Sequence, residues 1–390
     1  MSEFNFDETI NRIGTHSMKW DCMQSRHGVS AVDGIPMWVA DMDFRPPPAV
    51  QRAVEAMAGH GIYGYFGDDA DYLNAIVWWM NARHQWSIEP DWIFSTHGLV
   101  NGTALCIDAF SEPGDAVVLM TPVYHAFARI IHAANRELLE CRLRLVDGRY
   151  EMDLAAWQQQ LSGREKILIL CSPHNPGGRV WSAQELRDLA AFCRYNKLIM
   201  VSDEIHHDLV YTGHHHTILP RAAPDAVDRT VVLSAASKTF NIAGAHIGNV
   251  IIADPVMRSR FAARMMALGI SPNAFAMPMV TAAYSPEGVR WLEALLPYLD
   301  DNRRVFEAGI QSIKGARSMT LESTYLAWVD FAQLGLQPSA IAARVQESAR
   351  IAVNLGPTFG AGGETFLRFN FATQRHRVID AVDRLQRAFA

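Results

Sequence analysis

TVVLSAASKTFNIAGAHIGNVII, residues 230–252, reads as an apolar strand, a turn of small polar residues holding one lysine, and a second apolar strand. A free lysine amine titrates near ~10.4 and is an inert ammonium at neutral pH. Between two buried strands it would face a cleft with little water, where a desolvated amine can form a Schiff base with a carbonyl. Lys238 is therefore the candidate nucleophile, and a solvated turn lysine is the plainer alternative.

Outward from this stretch, apolar runs recur at 116–120 (AVVLM), 166–171 (KILILC), 198–202 (LIMVS), 230–234 and 247–252, with helical periodicity between several of them, as in 183–195. Continuous apolar strands separated by helices imply an α/β fold with a mostly parallel sheet covered on both faces. Ligands of such sheets lie beyond the carboxyl ends of the strands. The pattern predicts helices over 49–60, after the Pro46-Pro47-Pro48 stop, and over 99–110. A long helix is expected around 286–312, kinked at Pro297 and leading out of the sheet domain. Residues 317–390 read as short strands (STYLAWVDF, FLRFNF) with helices over 338–349 and 374–389, an α+β unit of its own. The expected division is residues 1–48 as an irregular segment joining the small domain, 49–285 as the large domain and 286–390 as the small one.

A chain of 390 residues, 49% hydrophobic and 19% charged, can bury a large core. A net charge of -6 with no basic block argues against nucleic acid or an anionic membrane as partner and leaves small molecules. The five cysteines are scattered, with no CxxC pair, as expected of thiols in a reducing compartment. The N-terminus lacks a signal-peptide pattern and no apolar run has membrane-spanning length, so a cytoplasmic protein is expected.

Several motifs occur in one order: WVADMDF (38–44), THGLVNG (96–102), TPVYHAF (121–127), SPHNPGGRVW (172–181), VSDEIHHD (201–208), SxxSKTFNIAG (234–244) and FLRFN (366–370). Together they resemble the pyridoxal-phosphate enzymes of the aspartate-aminotransferase fold, fold type I, over nearly the whole chain. Within that fold the chain looks most like the branch containing cystathionine β-lyase and the MalY and PatB proteins. The resemblance implies a mostly parallel, seven-stranded sheet flanked by helices, a smaller α+β domain, and pyridoxal 5'-phosphate as cofactor. Cofactor and substrate then distribute over named residues. Lys238 would hold the aldehyde and later act as general base, and Asp203 would pair with the ring nitrogen. Asn175 and His206 would contact the phenolic oxygen, and Tyr124 would stack on the ring. Arg368, whose planar fork suits a carboxylate, would bind the substrate's α-carboxylate. Plainer roles exist for three of these: a helix cap for Asp203, core packing for Tyr124 and a structural ion pair for Arg368.

For the phosphate, Gly98, Leu99 and Val100 open a helix whose amides would face an anion, Ser237 can add a hydroxyl and Ser234 a second. Tyr65, in GIYGYFGD (61–68), matches a tyrosine that reaches the neighbouring subunit's phosphate, which implies a homodimer with shared sites and a second contact of Tyr65 with substrate. Two departures thin the phosphate cup: Ala235 stands where a hydroxyl is common, and His246 where a cation is. FATQRHR after FLRFN departs from the branch as well, leaving the pocket wall near Asn370 open. His207 and His214-His215-His216 lack a consistent ligand spacing, so no resident metal is expected.

The implied activity is a carbon–sulfur β-lyase acting on an amino acid such as cystathionine and giving thiol, pyruvate and ammonia. An aminotransferase is the rival, since the two reactions diverge only in where a later proton lands. A regulatory protein using the same fold is the third reading.

Overall fold

The computed structural model describes residues 3–390. Its centre is a seven-stranded sheet of β1 (Ile93–Thr96), β2 (Ala116–Leu119), β3 (Glu137–Glu140), β4 (Glu165–Cys171), β5 (Ile199–Asp203), β6 (Thr230–Ser234) and β7 (Gly248–Ile251), in spatial order β1-β7-β6-β5-β4-β2-β3. Strands β6, β5, β4, β2 and β3 pair in parallel, whereas β7 runs antiparallel to both its neighbours. The central strands are apolar through their middles, with polar residues only at their ends, because helices cover both faces and leave no side for polar alternation. One helix layer packs Leu105, Phe110 and Phe261 onto Val117, Ile169, Val201 and Val231, and the opposite face carries Trp181, Leu186, Leu189 and Cys193 against Leu168, Leu170 and Met200.

The five apolar runs read from the sequence are all strands of this sheet; the two edge strands β1 and β3 were not among them. Both are four residues long; β3 (ELLE) carries glutamates at its ends and is partly exposed, and β1 (IFST) is mostly buried but half polar, so neither reads as an apolar run. The helices α1 (Pro48–His60), α3 (Leu99–Phe110) and α4 (Ala183–Tyr195) fall where the periodicity puts them, and α2 (Ala70–His84) follows the 61–68 loop. Helix α4 starts at a capping box, with Ser182 accepting from the Glu185 amide at 3.2 Å and Glu185 accepting from the Ser182 amide at 2.8 Å.

Helix α5 (Pro286–Gln311) is continuous through Pro297. Beyond it an antiparallel sheet forms from β8 (Arg317–Ser318), β9 (Leu326–Asp330), β10 (Asn354–Leu355) and β11 (Phe366–Asn370), in order β8-β9-β11-β10, with helix α6 (Arg375–Phe389) following. The expected helix over 338–349 is α-helical only to Ala343 and continues as a π-turn over Arg344–Ser348.

The N-terminal segment is mostly irregular, with two short helical turns, Met18–Asp21 and Met23–His27. It is fastened to the C-terminal unit: Ile35 and Pro36 pair in parallel with Ile351 and Ala352, the Asn370 amide donates to the Met37 carbonyl at 2.7 Å, and the Asp43 amide donates to the Ala372 carbonyl at 3.0 Å. From these fastenings we infer the division at residues 48 and 286 set out above.

Candidate active site

Three neighbouring parallel strands end side by side. Cys171 closes β4, Asp203 closes β5 in register with Cys171 and with Leu233, and Ser234 closes β6. After Ser234 the chain makes one helical turn, Ala236–Thr239, which lifts Lys238 over the strand ends. Into the same space opens α3, whose first turn follows Gly98 at φ +84°. That backbone is open to glycine and costly for other residues. Gly248 of β7 presses against this turn, since a Cβ there would lie 2.4 Å from Leu99 Cδ2 and 3.1 Å from its amide nitrogen. Close backbone approach thus sets the helix N-terminus, with its unpaired amides, at the mouth of the cleft.

The resulting cleft, about 410 Å³, is lined by Lys238, Asp203, His206, Asn175, Tyr124, Gly98, Leu99, Val100, Ser237 and Arg368. Ten of the twelve residues singled out from the sequence therefore share one space. Ser234 does not line it: its hydroxyl is fully buried behind the cleft without a hydrogen-bond partner. Tyr65 stands in open solvent on the 61–68 loop. The larger groove of about 890 Å³, between Arg142–Trp157 and Gly362–Phe366, contains none of the twelve.

A strap over the cleft, residues 38–44, was visible as a motif but not as a mechanism. Its backbone is held from several sides. Asn370 Nδ2 donates to the Val39 and Asp41 carbonyls at 2.6 Å each, and Asn241 Nδ2 donates to those of Met42 and Phe44 at 2.9 and 2.7 Å. Beneath it Asp43 is ion-paired to fully buried Lys19 at 2.9 Å and to Arg12 at 2.8 Å, and accepts from the Trp20 indole at 3.0 Å. Burial alone raises this carboxyl, but Lys19, Trp20 and Arg12 outweigh it and hold it at about 2. So anchored, the strap presents the Ala40 carbonyl to Lys238 Nζ at 2.7 Å and to the Tyr325 hydroxyl at 3.0 Å. Asn370, expected near a pocket wall, is instead the clamp of this strap.

Electrostatics in the cleft are set by burial. It lowers the Lys238 ammonium to about 8, with Arg368 pushing the same way against Asp41 and Asp203. It raises the Asp203 carboxyl to about 7, although the Ile205 amide donates to it at 3.1 Å. His206 is driven well below its usual range, hence neutral, and its Nδ1 is buried without a partner.

Arg368 sits in β11 between Trp328 and Asn354. Its fork is oriented by Asn175 Oδ1 at 3.0 Å, Asn354 Oδ1 at 2.7 Å and the Trp38 carbonyl at 2.9 Å, all neutral, while Nε has no partner. Burial lowers it to about 10, and among the described residues it forms no ion pair. A buried guanidinium lining a cleft without its own anion has the chemistry to accept a carboxylate. His97, His125 and His246 also line the cleft, and among the described residues Lys238 and Arg368 are its only lysine and arginine. Asn354 and Tyr325 had no signal in the sequence, and Trp38 only its place in the 38–44 motif, because each acquires its role through contacts far along the chain.

The profile of the family described as "Aminotransferase class I and II" matches residues 33–385. Cystathionine beta-lyase PatB of Bacillus subtilis (strain 168) is 37% identical over 99% of this chain and 100% of its own length. A pyridoxal-phosphate-bound putative aminotransferase from Clostridium difficile 630 superposes with a TM-score of 0.95 at 32% identity, over 99% of this chain and 100% of that one. Cystalysin from Treponema denticola, which contains a pyridoxal 5'-phosphate cofactor, gives 0.94 at 33% identity over 99% and 98%.

Proposed function

Because the chain belongs to the class I and II aminotransferase family, we propose that it is a pyridoxal-5'-phosphate-dependent carbon–sulfur β-lyase of the cystathionine β-lyase type. It takes an amino acid with sulfur on Cβ, consumes one water, and gives a thiol, pyruvate and ammonia. The observation that carries this reading is the cleft in which Lys238 and Arg368 are the two fixed cations, over the buried carboxyl of Asp203.

The residues fit the cofactor by what they lack. Asp203 is a buried carboxyl with no cationic hydrogen-bond donor, which a ring N–H would supply, and His206 Nδ1 is an orphaned buried atom facing the same space. Lys238 would hold the aldehyde carbon, Asn175 and His206 the phenolic oxygen, Tyr124 one ring face, and the amides of Leu99 and Val100 with the Ser237 hydroxyl the phosphate. Bound there, pyridoxal phosphate supplies an electron sink conjugated to the substrate's Cα.

Every other step belongs to the chain. Arg368 binds the α-carboxylate through the edge its neutral partners leave free, which fixes the orientation of the Cα–H bond. Lys238, with its ammonium depressed to about 8, has a substantial neutral fraction at physiological pH, and its Nζ takes the Cα proton. Tyr124 and the strap keep water from that carbon. The Cβ–S bond then breaks with the electron pair leaving on sulfur.

The proposal includes a homodimer. Ile62, Tyr63, Tyr65 and Phe66 are all exposed on one loop, an apolar display suited to burial against a second copy. There Tyr65 would reach the partner's phosphate and substrate. No helix among the described residues is long and apolar enough to cross a membrane. The five free cysteines support an intracellular, cytoplasmic setting.

Turnover of L-cystathionine tests the activity. Pyruvate released without any keto-acid acceptor is the expected result. Turnover that requires an acceptor and yields no pyruvate establishes the aminotransferase reading instead.

A further inference from the structure

Behind the cleft, on the far side of the turn that carries Asp203 and His206, lies a second polar cluster that the proposed reaction does not use. It contains Glu204, His207 and Asp208 from that turn, His84 from the end of α2, and His216 from the histidine tract, all buried. The His84 and His207 rings are 4.3 Å apart between centroids, with His216 at 6.1 and 6.3 Å from them. Donor atoms of His84, His207 and Asp208 all fall within 4.8 Å of one another. His84 Nε2 lies 2.8 Å from Asp208 Oδ1, and His216 Nε2 lies 2.7 Å from Glu204 Oε2.

Two observations ask for an occupant. Both ring nitrogens of His207 are buried without a hydrogen-bond partner; Nε2 is 3.2 Å from Asp208 Oδ2 but out of line for a hydrogen bond. His216 Nδ1 is orphaned as well. Unsatisfied buried polar atoms each cost about 1–3 kcal/mol, so three in one cluster are hard to sustain without a ligand. The second observation is charge. Glu204 accepts from Ser202 and Leu219 and lies against His216, and Asp208 accepts from Trp79 and Thr239 and lies against His84, while among the described residues the one lysine or arginine paired with the cluster's carboxylates on this side is Arg83, 3.5 Å from Asp208.

We propose that this cluster binds one transition-metal dication of the zinc class through His84, His207 and Asp208, with a water as the fourth donor. Imidazole nitrogens with one carboxylate suit such ions. The ion has a positioning role: Asp208 also accepts from Thr239, the neighbour of Lys238, at 2.8 Å, so the metal braces the turn beneath the reactive amine.

The test uses the full-length holoenzyme, stripped with a chelator and reloaded with Zn²⁺ or Co²⁺. Expected are one metal per chain by elemental analysis, a thermal midpoint several degrees higher with Zn²⁺, and the strong visible d–d bands of four-coordinate Co²⁺. His207→Phe, which keeps a ring in place, abolishes all three, while the exposed pair His214→Ala and His215→Ala keeps them. Substoichiometric metal in the wild type, or equal uptake by His207→Phe, overturns the proposal. Should His207→Phe fail to fold, the Co²⁺ spectrum of the wild type decides, since its absence is equally fatal.

Discussion

Lys238 Nζ donates to the carbonyl oxygen of Ala40 at 2.7 Å, across 198 positions of sequence. The amine proposed to hold the cofactor is thus oriented by a backbone atom of a segment with no regular structure. Held this way, the amine is aimed before any ligand arrives.

Lys238 is expected to be neutral above about pH 8 rather than above 10.5, because burial disfavours the ammonium. Attachment of pyridoxal phosphate to the cofactor-free protein, followed by its visible absorption, should therefore rise with pH through a midpoint near 8. Lys238→Ala should never develop the band and should lose more than about 10³-fold in turnover. A midpoint near 10.5 would mean that the amine is solvated.

For Asp203, folding raises the carboxyl from 3.8 to about 7 through burial. The folded state then holds the proton more tightly than the unfolded state, so this group's contribution is favourable at low pH and is lost as pH rises from about 4 to 7. The loss is on the order of 4 kcal/mol at about 1.4 kcal/mol per unit. Asp203→Asn should make the cofactor-free protein more stable at pH 8 but not at pH 4, while lowering holoenzyme turnover at least about 100-fold. Urea unfolding at the two pH values measures it, and equal gains at both would contradict the assignment.

Arg368→Met removes a buried cation that lacks an anion, so the cofactor-free protein should keep or gain stability. Its kcat/KM should fall about 10²–10³-fold, the consequence of losing about 3–4 kcal/mol of carboxylate binding. A stability loss of several kcal/mol would reveal a structural ion pair instead.

Asn370→Ala leaves the Val39 and Asp41 carbonyls without their 2.6 Å donor and frees the strap. The expected cost is about 2–3 kcal/mol in unfolding free energy. A drop in kcat/KM larger than that of an equally destabilised distant variant should accompany it. Equal drops would show that the strap does not position Lys238.

Sedimentation of the holoenzyme at micromolar concentration should show a dimer. Tyr65→Phe should release the cofactor about 10–100-fold more readily, as expected for one hydrogen bond to a charged group. A monomer with unchanged cofactor affinity would remove Tyr65 from the site.

What could be read from the sequence was whatever is encoded over short distances. Lys238 between two apolar strands, Asp203 at a strand end and Gly98 before a helix each carry their signal within about ten residues. The edge strands Ile93–Thr96 and Glu137–Glu140 were hidden because each mixes polar residues into only four positions, IFST and ELLE. Ser234, offered for the phosphate, is not among the residues lining the cleft, and its hydroxyl is buried without a hydrogen-bond partner. The partners of Asp43, Lys19 and Arg12, and the approach of His84 to His207, depend on tertiary contact alone. No local pattern records such pairings.

The clamp between Asn370 and residues 39–41 also has a consequence for biosynthesis. The roof of the cleft is made from polypeptide translated before the seven-stranded sheet, and its fastening comes from a strand translated after it. A nascent chain can complete that sheet with its roof still unfastened. The strap is clamped only once Asn370 has been made.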